Sequence, residues 1–158
     1  MLFRSADFCL LMLLQARDKG VRRLVVADGM RLPFAEGTFD AITIAFGLRN
    51  MESWPDALRE MGRVLKTNGH LLVLDFSIPE NQRLAGAYRY YLRNIMPRVA
   101  GWVTGEKSAY DYLAESIEKF PRGNAMVSLM NGNGFCDAAC LPLTFGAVSL
   151  YIAGKSEK

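Results

Sequence analysis

Polar residues that close apolar runs are where this chain can do chemistry, and three such places occur early. Asp7-Phe8 follows a short opening stretch, Asp28-Gly29 closes LVVA, and Gly47-Leu48-Arg49-Asn50 closes FDAITIAF. A carboxylate in such a place accepts hydrogen bonds from hydroxyl or amine groups. An arginine is always cationic and favours an anion placed beside it, and an asparagine can fix an oxygen or a relaying water. Each residue also has a plainer use. Asp7 suits a helix N-cap, Asp28-Gly29 an ordinary turn, and Arg49 an ion pair with Glu52 or Asp56 at a helix start. Tyr112 lies off the apolar stripe of its segment, so it either faces a substrate or packs against neighbours. Metal chemistry is not indicated. His70 is the single histidine, and Cys9, Cys136 and Cys140 lack metal-ligand spacing and read as reduced thiols.

The elements that carry these residues alternate. A helix is expected over 8–19, closed by Gly20, apolar on nearly every side of its first half and so buried on more than one side. A strand over 21–27 ends at Asp28, a loop covers 31–38, and a near-continuous apolar strand over 39–48 reads as one buried in a parallel sheet. Ser53, Pro55 and Asp56 start a helix whose inward stripe is Trp54, Ala57, Leu58, Met61, Val64 and Leu65. Lys66-Thr67-Asn68-Gly69 should stop it before a buried strand over 70–76. Between 79 and 105, tyrosines, Ile95, Met96 and Trp102 interleave with Arg83, Arg89, Arg93 and Arg98, a helix broken by Pro97 and Gly101. A helix over 108–120 is expected with Ser108 and Asp111 as its cap and Ala109, Leu113, Ile117 and Phe120 inward. A short helix over 124–130 follows, and strands over 135–145 and 147–153 form an antiparallel hairpin. Alternation ending in a hairpin implies a doubly wound α/β sheet with an antiparallel edge.

The length of 158 residues fits one domain, and 51% hydrophobic with 22% charged residues is an ordinary globular composition. The net charge of +3 says little about partners. No apolar run approaches the roughly 20 residues of a membrane span. The opening MLFRSADFCLLMLL is read as part of the fold rather than a leader, because Asp7 interrupts it and no small-residue cleavage site follows.

The motifs DGMRLPF, FDAITIAFGLRN, REMGRVLKTNG and LLVLDFS, with the distal YLAESI, resemble the ubiquinone/menaquinone C-methyltransferases, which are class I S-adenosylmethionine enzymes. The resemblance runs from about Asp7 to the end. It implies a Rossmann-like sheet with a C-terminal antiparallel hairpin, and a substrate-side helical insertion over 79–121 within one domain, 1–158. It places Asp7 and Phe8 at the cofactor ribose, Asp28 at the adenine amine with Gly29, Met30 and Leu32 about the base, and Ala45 where main chain approaches the cofactor. Arg49 and Asn50 fall at the quinol hydroxyl, where a cation would stabilise phenolate, and Tyr112 on the substrate side. The implied partners are S-adenosylmethionine and a lipophilic quinol, with no nucleic acid. The Tyr/Arg segment serves either as a lid for a polyprenyl tail, its arginines at lipid headgroups, or as an ordinary solvated helix. A homo-oligomer and a cytoplasmic location at the inner face of the membrane fit this reading.

The family's E/D-x-G-x-G-x-G loop, which holds the methionine end of the cofactor, does not occur in the sequence, and Thr67-Asn68 stands where Pro-Gly is usual. The expectation is therefore a fragment that starts at the end of the family's second strand, with two strands missing between 21–27 and 39–48, and inactive alone. Demethylmenaquinol and a ubiquinone precursor both remain open as substrates, as does another lipophilic acceptor such as a sterol. A non-catalytic remnant that binds lipid or a partner is the alternative from a different class.

Overall fold

A computed structural model describes residues 3–98 and 107–156, for 107–111 the backbone alone. Gly101, Trp102 and Gly105, and the side chains of Ser108, Ala109 and Asp111, lie outside the described residues. The sheet is in two pieces. In the first, β1 (Ser5–Asp7) pairs in parallel with β2 (Leu24–Val26), Asp7 opposite Val26. Helix α1 (Leu10–Asp18) connects them, and Gly20 reverses the chain after it at φ +90°. The second piece has the order β3-β4-β6-β5, with β3 (Phe39–Ala45), β4 (Leu65–Phe76), β5 (Phe135–Leu143) and β6 (Val148–Lys155). Strands β3 and β4 are parallel, and β6 runs antiparallel to both β4 and β5. Pro142, which cannot donate to a ladder, sits on the edge strand β5, where it is tolerated.

Helix α2 (Trp54–Val64) holds the larger piece together. Ser53 caps it by accepting from the Asp56 N–H at 3.3 Å, Pro55 occupies its first turn, and Ala57, Leu58, Met61 and Val64 are buried as the stripe requires. Ala57, Leu58 and Met61 pack with Leu71 and Val73 of β4, Tyr151 and Ala153 of β6, and Met126 and Met130 of a short C-terminal helix. Fully burying each large apolar side chain stabilises the fold by about 1.5–3 kcal/mol. A second, smaller cluster joins Ile78, Ala85, Leu92, Ala114 and Ile117. It seats α3 (Gln82–Tyr90) and α4 (Lys107–Lys119) beside the end of β4; α5 (Asn124–Asn131) leads into the hairpin.

Several expectations change. Residues 5–7 form a strand of their own, so the second strand of the family pattern is represented rather than absent. Helix α1 is not covered on several sides: Leu13 is buried, but Leu10, Leu11 and Met12 stay more than half exposed. Its only described sheet support is the two short strands β1 and β2, which can cover one side. Strand β3 ends at Ala45, not at residue 48, and has β4 as its single strand partner among the described residues, so its side chains are half-buried or exposed. Lys66–Gly69 does not separate α2 from the next strand. It bulges from β4 between Leu65, paired with Phe39, and His70, paired with Ala41, with Asn68 at φ +63°. Pro97 does not break its helix. Helical residues 96–98, Pro97 among them, follow a π turn at Tyr91–Ile95. Helix α4 already includes Lys107, so Ser108 falls inside its first turn rather than at its cap. The hairpin turns through Thr144–Gly146, all three at positive φ.

Candidate active site

The predicted polar residues collect at the carboxyl ends of parallel strands, where open α/β sheets bind ligands. Asp7 ends β1, Asp28 lies two residues past β2, Ala45 ends β3, and Asp75 is the next-to-last residue of β4. The chain leaves β3 through Phe46, at φ +56°, an uncommon left-handed conformation for a bulky residue. Its N–H donates to the Leu74 carbonyl at 2.8 Å, and its own carbonyl is turned toward the 3-10 turn Leu48–Asn50. There it accepts from Arg49 Nη1 at 2.7 Å and from Asn50 Nδ2 at 3.4 Å.

Arg49 Nη1 also donates to Asp75 Oδ1 at 2.7 Å, forming an ion pair whose side chains are 9% and 0% exposed. The Asp75 carboxylate further accepts from the Phe76 N–H at 2.8 Å and, more weakly, from the Arg49 N–H at 3.4 Å. The guanidinium lies 5.2 Å from the Phe76 ring centre, and that ring stacks at a tilt on Phe46, 4.7 Å away. Arg49 therefore pairs with neither acid expected from the sequence; Asp56 instead meets Arg59 and the Ser53 cap. Asp75 escaped the sequence reading as a site residue. Its signal was a single acid near the carboxyl end of the otherwise apolar LLVLDF.

Asn50 links two elements. While its amide nitrogen holds the Phe46 carbonyl, its Oδ1 accepts from the Tyr112 hydroxyl of α4 at 3.4 Å, and Tyr112 keeps 56% exposure. So Arg49, Asn50 and Tyr112 come together. Gly29 joins them through Met51, because a Cβ on Gly29 would lie 2.3 Å from Met51 Cε. Asp28 Oδ1 accepts from the Met30 N–H at 2.8 Å and Arg31 N–H donates to the Asp28 carbonyl at 3.0 Å, so Asp28-Gly29 is the turn its composition suggests. The loop beyond is fastened to α2: Leu32 N–H donates to Glu60 Oε1 at 2.7 Å, and Arg63 donates to the carbonyls of Phe34 and Leu32. Arg63, hydrogen-bonded to Glu60, holds that carboxyl below its ordinary range.

Asp7 is not the cap of α1, since the cap position is Cys9. Its Oδ1 accepts from the Cys9 N–H at 2.7 Å, and Phe8 is 79% exposed. No described hydrogen bond or ion pair joins Asp7 or Phe8 to the Arg49 cluster. Asp7 and Asp28 are both exposed carboxylates with one oxygen on a local N–H and the other available as an acceptor. Phe8, next to Asp7, is exposed, and Met30, beyond Asp28, is partly exposed.

Residues 6–155 match the ubiE/COQ5 methyltransferase family. A demethylmenaquinone methyltransferase of Corynebacterium glutamicum (strain R) is 42% identical over 153 residues, 97% of this chain and 66% of that protein. One of Mycobacterium tuberculosis (strain ATCC 25177 / H37Ra) is 42% identical over 154 residues, 98% of this chain and 65% of that protein. The chain thus spans just under two thirds of the length of these relatives. Among solved structures, a SAM-dependent methyltransferase from Aquifex aeolicus superposes with a TM-score of 0.62 at 13% identity, covering 96% of this chain and 67% of that one. The CurJ carbon methyltransferase gives 0.64 at 18%, covering 96% and 41%. At such identities these two likenesses show the fold, which is the Rossmann-like methyltransferase fold.

Proposed function

The chain belongs to the ubiE/COQ5 methyltransferase family, and from that premise we propose that it carries the substrate side and part of the cofactor side of an S-adenosylmethionine-dependent C-methyltransferase acting on demethylmenaquinol. The observation that carries this is the Phe46–Arg49–Asn50–Tyr112 cluster at the carboxyl end of β3, held by Asp75 at the end of β4. The choice of demethylmenaquinol over a ubiquinone precursor rests on what the relatives are named.

Bound S-adenosylmethionine supplies an electrophilic methyl group on a sulfonium. The free carboxylate oxygens of Asp7 and Asp28 would accept from its ribose hydroxyls and adenine amine, with Met30 against the base. Ala45, small and exposed at the end of β3, leaves the main chain approachable. On the other reactant, ring carbon becomes nucleophilic as the adjacent hydroxyl gives its proton to water, so whatever holds that oxygen as phenolate lowers the barrier. Asn50 would donate to it through its second amide N–H, its amide held in place by the Phe46 carbonyl and the Tyr112 hydroxyl. Arg49 cannot act as a lone cation, because Asp75 neutralises it; its part is to fix the Phe46 carbonyl and the Asn50 turn, which makes it a positioning residue. The described parts of 79–121 would lie on the substrate side. The exposed Leu84, Tyr90, Tyr91 and Ile95 there would meet a polyprenyl tail or the inner face of the membrane from the cytoplasm. No helix among the described residues is long and apolar enough to cross a membrane.

The test is genetic. A bacterium lacking its own demethylmenaquinone methyltransferase accumulates the unmethylated quinone. This chain, extended by the segment its relatives carry beyond the matched region, should return menaquinone to the extracted lipids. Unchanged demethylmenaquinone despite soluble protein would refute the reading, and restored ubiquinone methylation alone would move the substrate to the other quinone.

A further inference from the structure

Away from the cluster just described, a cavity of about 410 Å³ opens between α3, α4 and the start of α5, within the ordinary range of ligand pockets. Its lining is Ile78, Arg89, Tyr90, Arg93, Glu118 and Arg122, none of which belongs to the Arg49 site. Three arginines and one carboxylate residue therefore line it. That carboxylate is already engaged: Arg93 Nε donates to Glu118 Oε1 at 2.8 Å, and Arg93 Nη2 forms an ion pair with Oε2. Arg89 and Arg122 have no described ion-pair partner, and both are exposed. Glu80 lies against Gly123, next to Arg122, without a described ion pair to either arginine.

Like charges gathered around a concave space repel one another, and an anion relieves this. Guanidinium forks match the oxygens of a phosphate, which is why arginines recur where phosphates are held. A carboxylate ligand would meet the same forks with one charge fewer. Tyr90 adds a hydroxyl donor at the wall.

We propose that this cavity binds a phosphate group through Arg89 and Arg122, with Arg93 held in reserve by Glu118. The group belongs either to a free phosphate or to the headgroup of an anionic phospholipid. The site does not depend on the methyl-transfer reading. It predicts an inverted effect: Glu118→Gln leaves Arg93 free to turn into the cavity, so removing a contact tightens binding.

The experiment is a titration of the whole chain with inorganic phosphate, run beside co-sedimentation with vesicles of phosphatidylcholine alone or mixed with phosphatidylglycerol. Arg89→Gln and Arg122→Gln should each weaken binding by about tenfold or more, the effect of losing one charge-assisted contact. Glu118→Gln should strengthen it several-fold. Because these side chains are exposed or on the cavity wall, circular dichroism should show all three variants folded. Binding to phosphate with this pattern assigns a free phosphate; binding only to the phosphatidylglycerol vesicles with the same pattern assigns a headgroup. No binding in either arm overturns the site, as does binding indifferent to both arginine changes or weakened by Glu118→Gln.

Discussion

Replacing Arg49 with methionine isolates the interaction on which the β3 and β4 ends depend. Asp75 is fully buried, and Arg49 Nη1 supplies its only charged partner among the described residues, at 2.7 Å. Without the guanidinium the carboxylate keeps the Phe76 N–H at 2.8 Å and a long 3.4 Å contact from the Arg49 N–H, while the Phe46 carbonyl loses its 2.7 Å donor. A buried charge deprived of its partner costs about 3–5 kcal/mol, although a well-packed apolar replacement of both members can be nearly neutral. Arg49→Met should therefore lose about 3–5 kcal/mol, a large share of the roughly 5–15 kcal/mol that holds an ordinary domain together. Asp75→Asn in the same chain should recover at least about 2 kcal/mol of that loss, because the stranded charge is gone. Urea unfolding followed by tryptophan fluorescence reads this, since Trp54 sits edge-on to Phe120 in the core, ring centres 5.4 Å apart. If Arg49→Met costs less than about 1 kcal/mol, or the two changes simply add, the pair is not what fixes the Phe46–Asn50 turn.

Glycines offer a paired control. Gly69→Ala should cost about 1–3 kcal/mol by overpacking, since its Cβ would fall 2.8 Å from the Lys66 carbonyl oxygen and 3.1 Å from that of Asp40. Gly86→Ala, with nothing within 4 Å on an exposed face of α3, should instead raise stability by about 0.5–1 kcal/mol in the same melts. The open apolar surface of α1 predicts self-association: Leu10→Lys with Leu11→Lys should shift light scattering toward monomer without lowering the melting temperature, because both side chains are already more than half exposed. Tyr112→Phe should leave stability within about 0.5 kcal/mol and yet lower turnover on the quinol. Unchanged turnover would return Tyr112 to a packing role.

Where a residue's surroundings follow from its own segment, the sequence was enough. The cap at Ser53, the stripe on α2, the turn at Asp28-Gly29 and the terminal hairpin all depend on local pattern and came out as read. What depends on distant neighbours did not. The apolar face of α1 and the run 39–48 each look like core, but burial needs a layer against them, and β3 has a strand on one side alone among the described residues. The left-handed turn at Phe46 leaves no mark in composition, since a phenylalanine there is disfavoured and is stabilised by hydrogen bonds from Arg49 and Asn50. The same holds for the candidate site. Arg49 and Asn50 could be picked out by type and position, whereas the partner that decides what Arg49 does, Asp75, lies 26 residues away and looks like one polar interruption in a core strand. The Arg93–Glu118 pair, between the π turn after α3 and the end of α4, was equally invisible, because amphipathic spacing cannot say which arginine finds a carboxylate.

Methyl transfer itself is the most direct measurement. The chain, extended by the segment its relatives carry beyond the matched region, would be incubated with methyl-labelled S-adenosylmethionine and demethylmenaquinol, and the product analysed by mass spectrometry and NMR. The label should appear on ring carbon, with Asp7→Ala and Asp28→Ala raising the KM for S-adenosylmethionine and Asn50→Ala lowering kcat. Label on a quinol oxygen, or tight cofactor binding with no transfer to any quinol, would contradict the account.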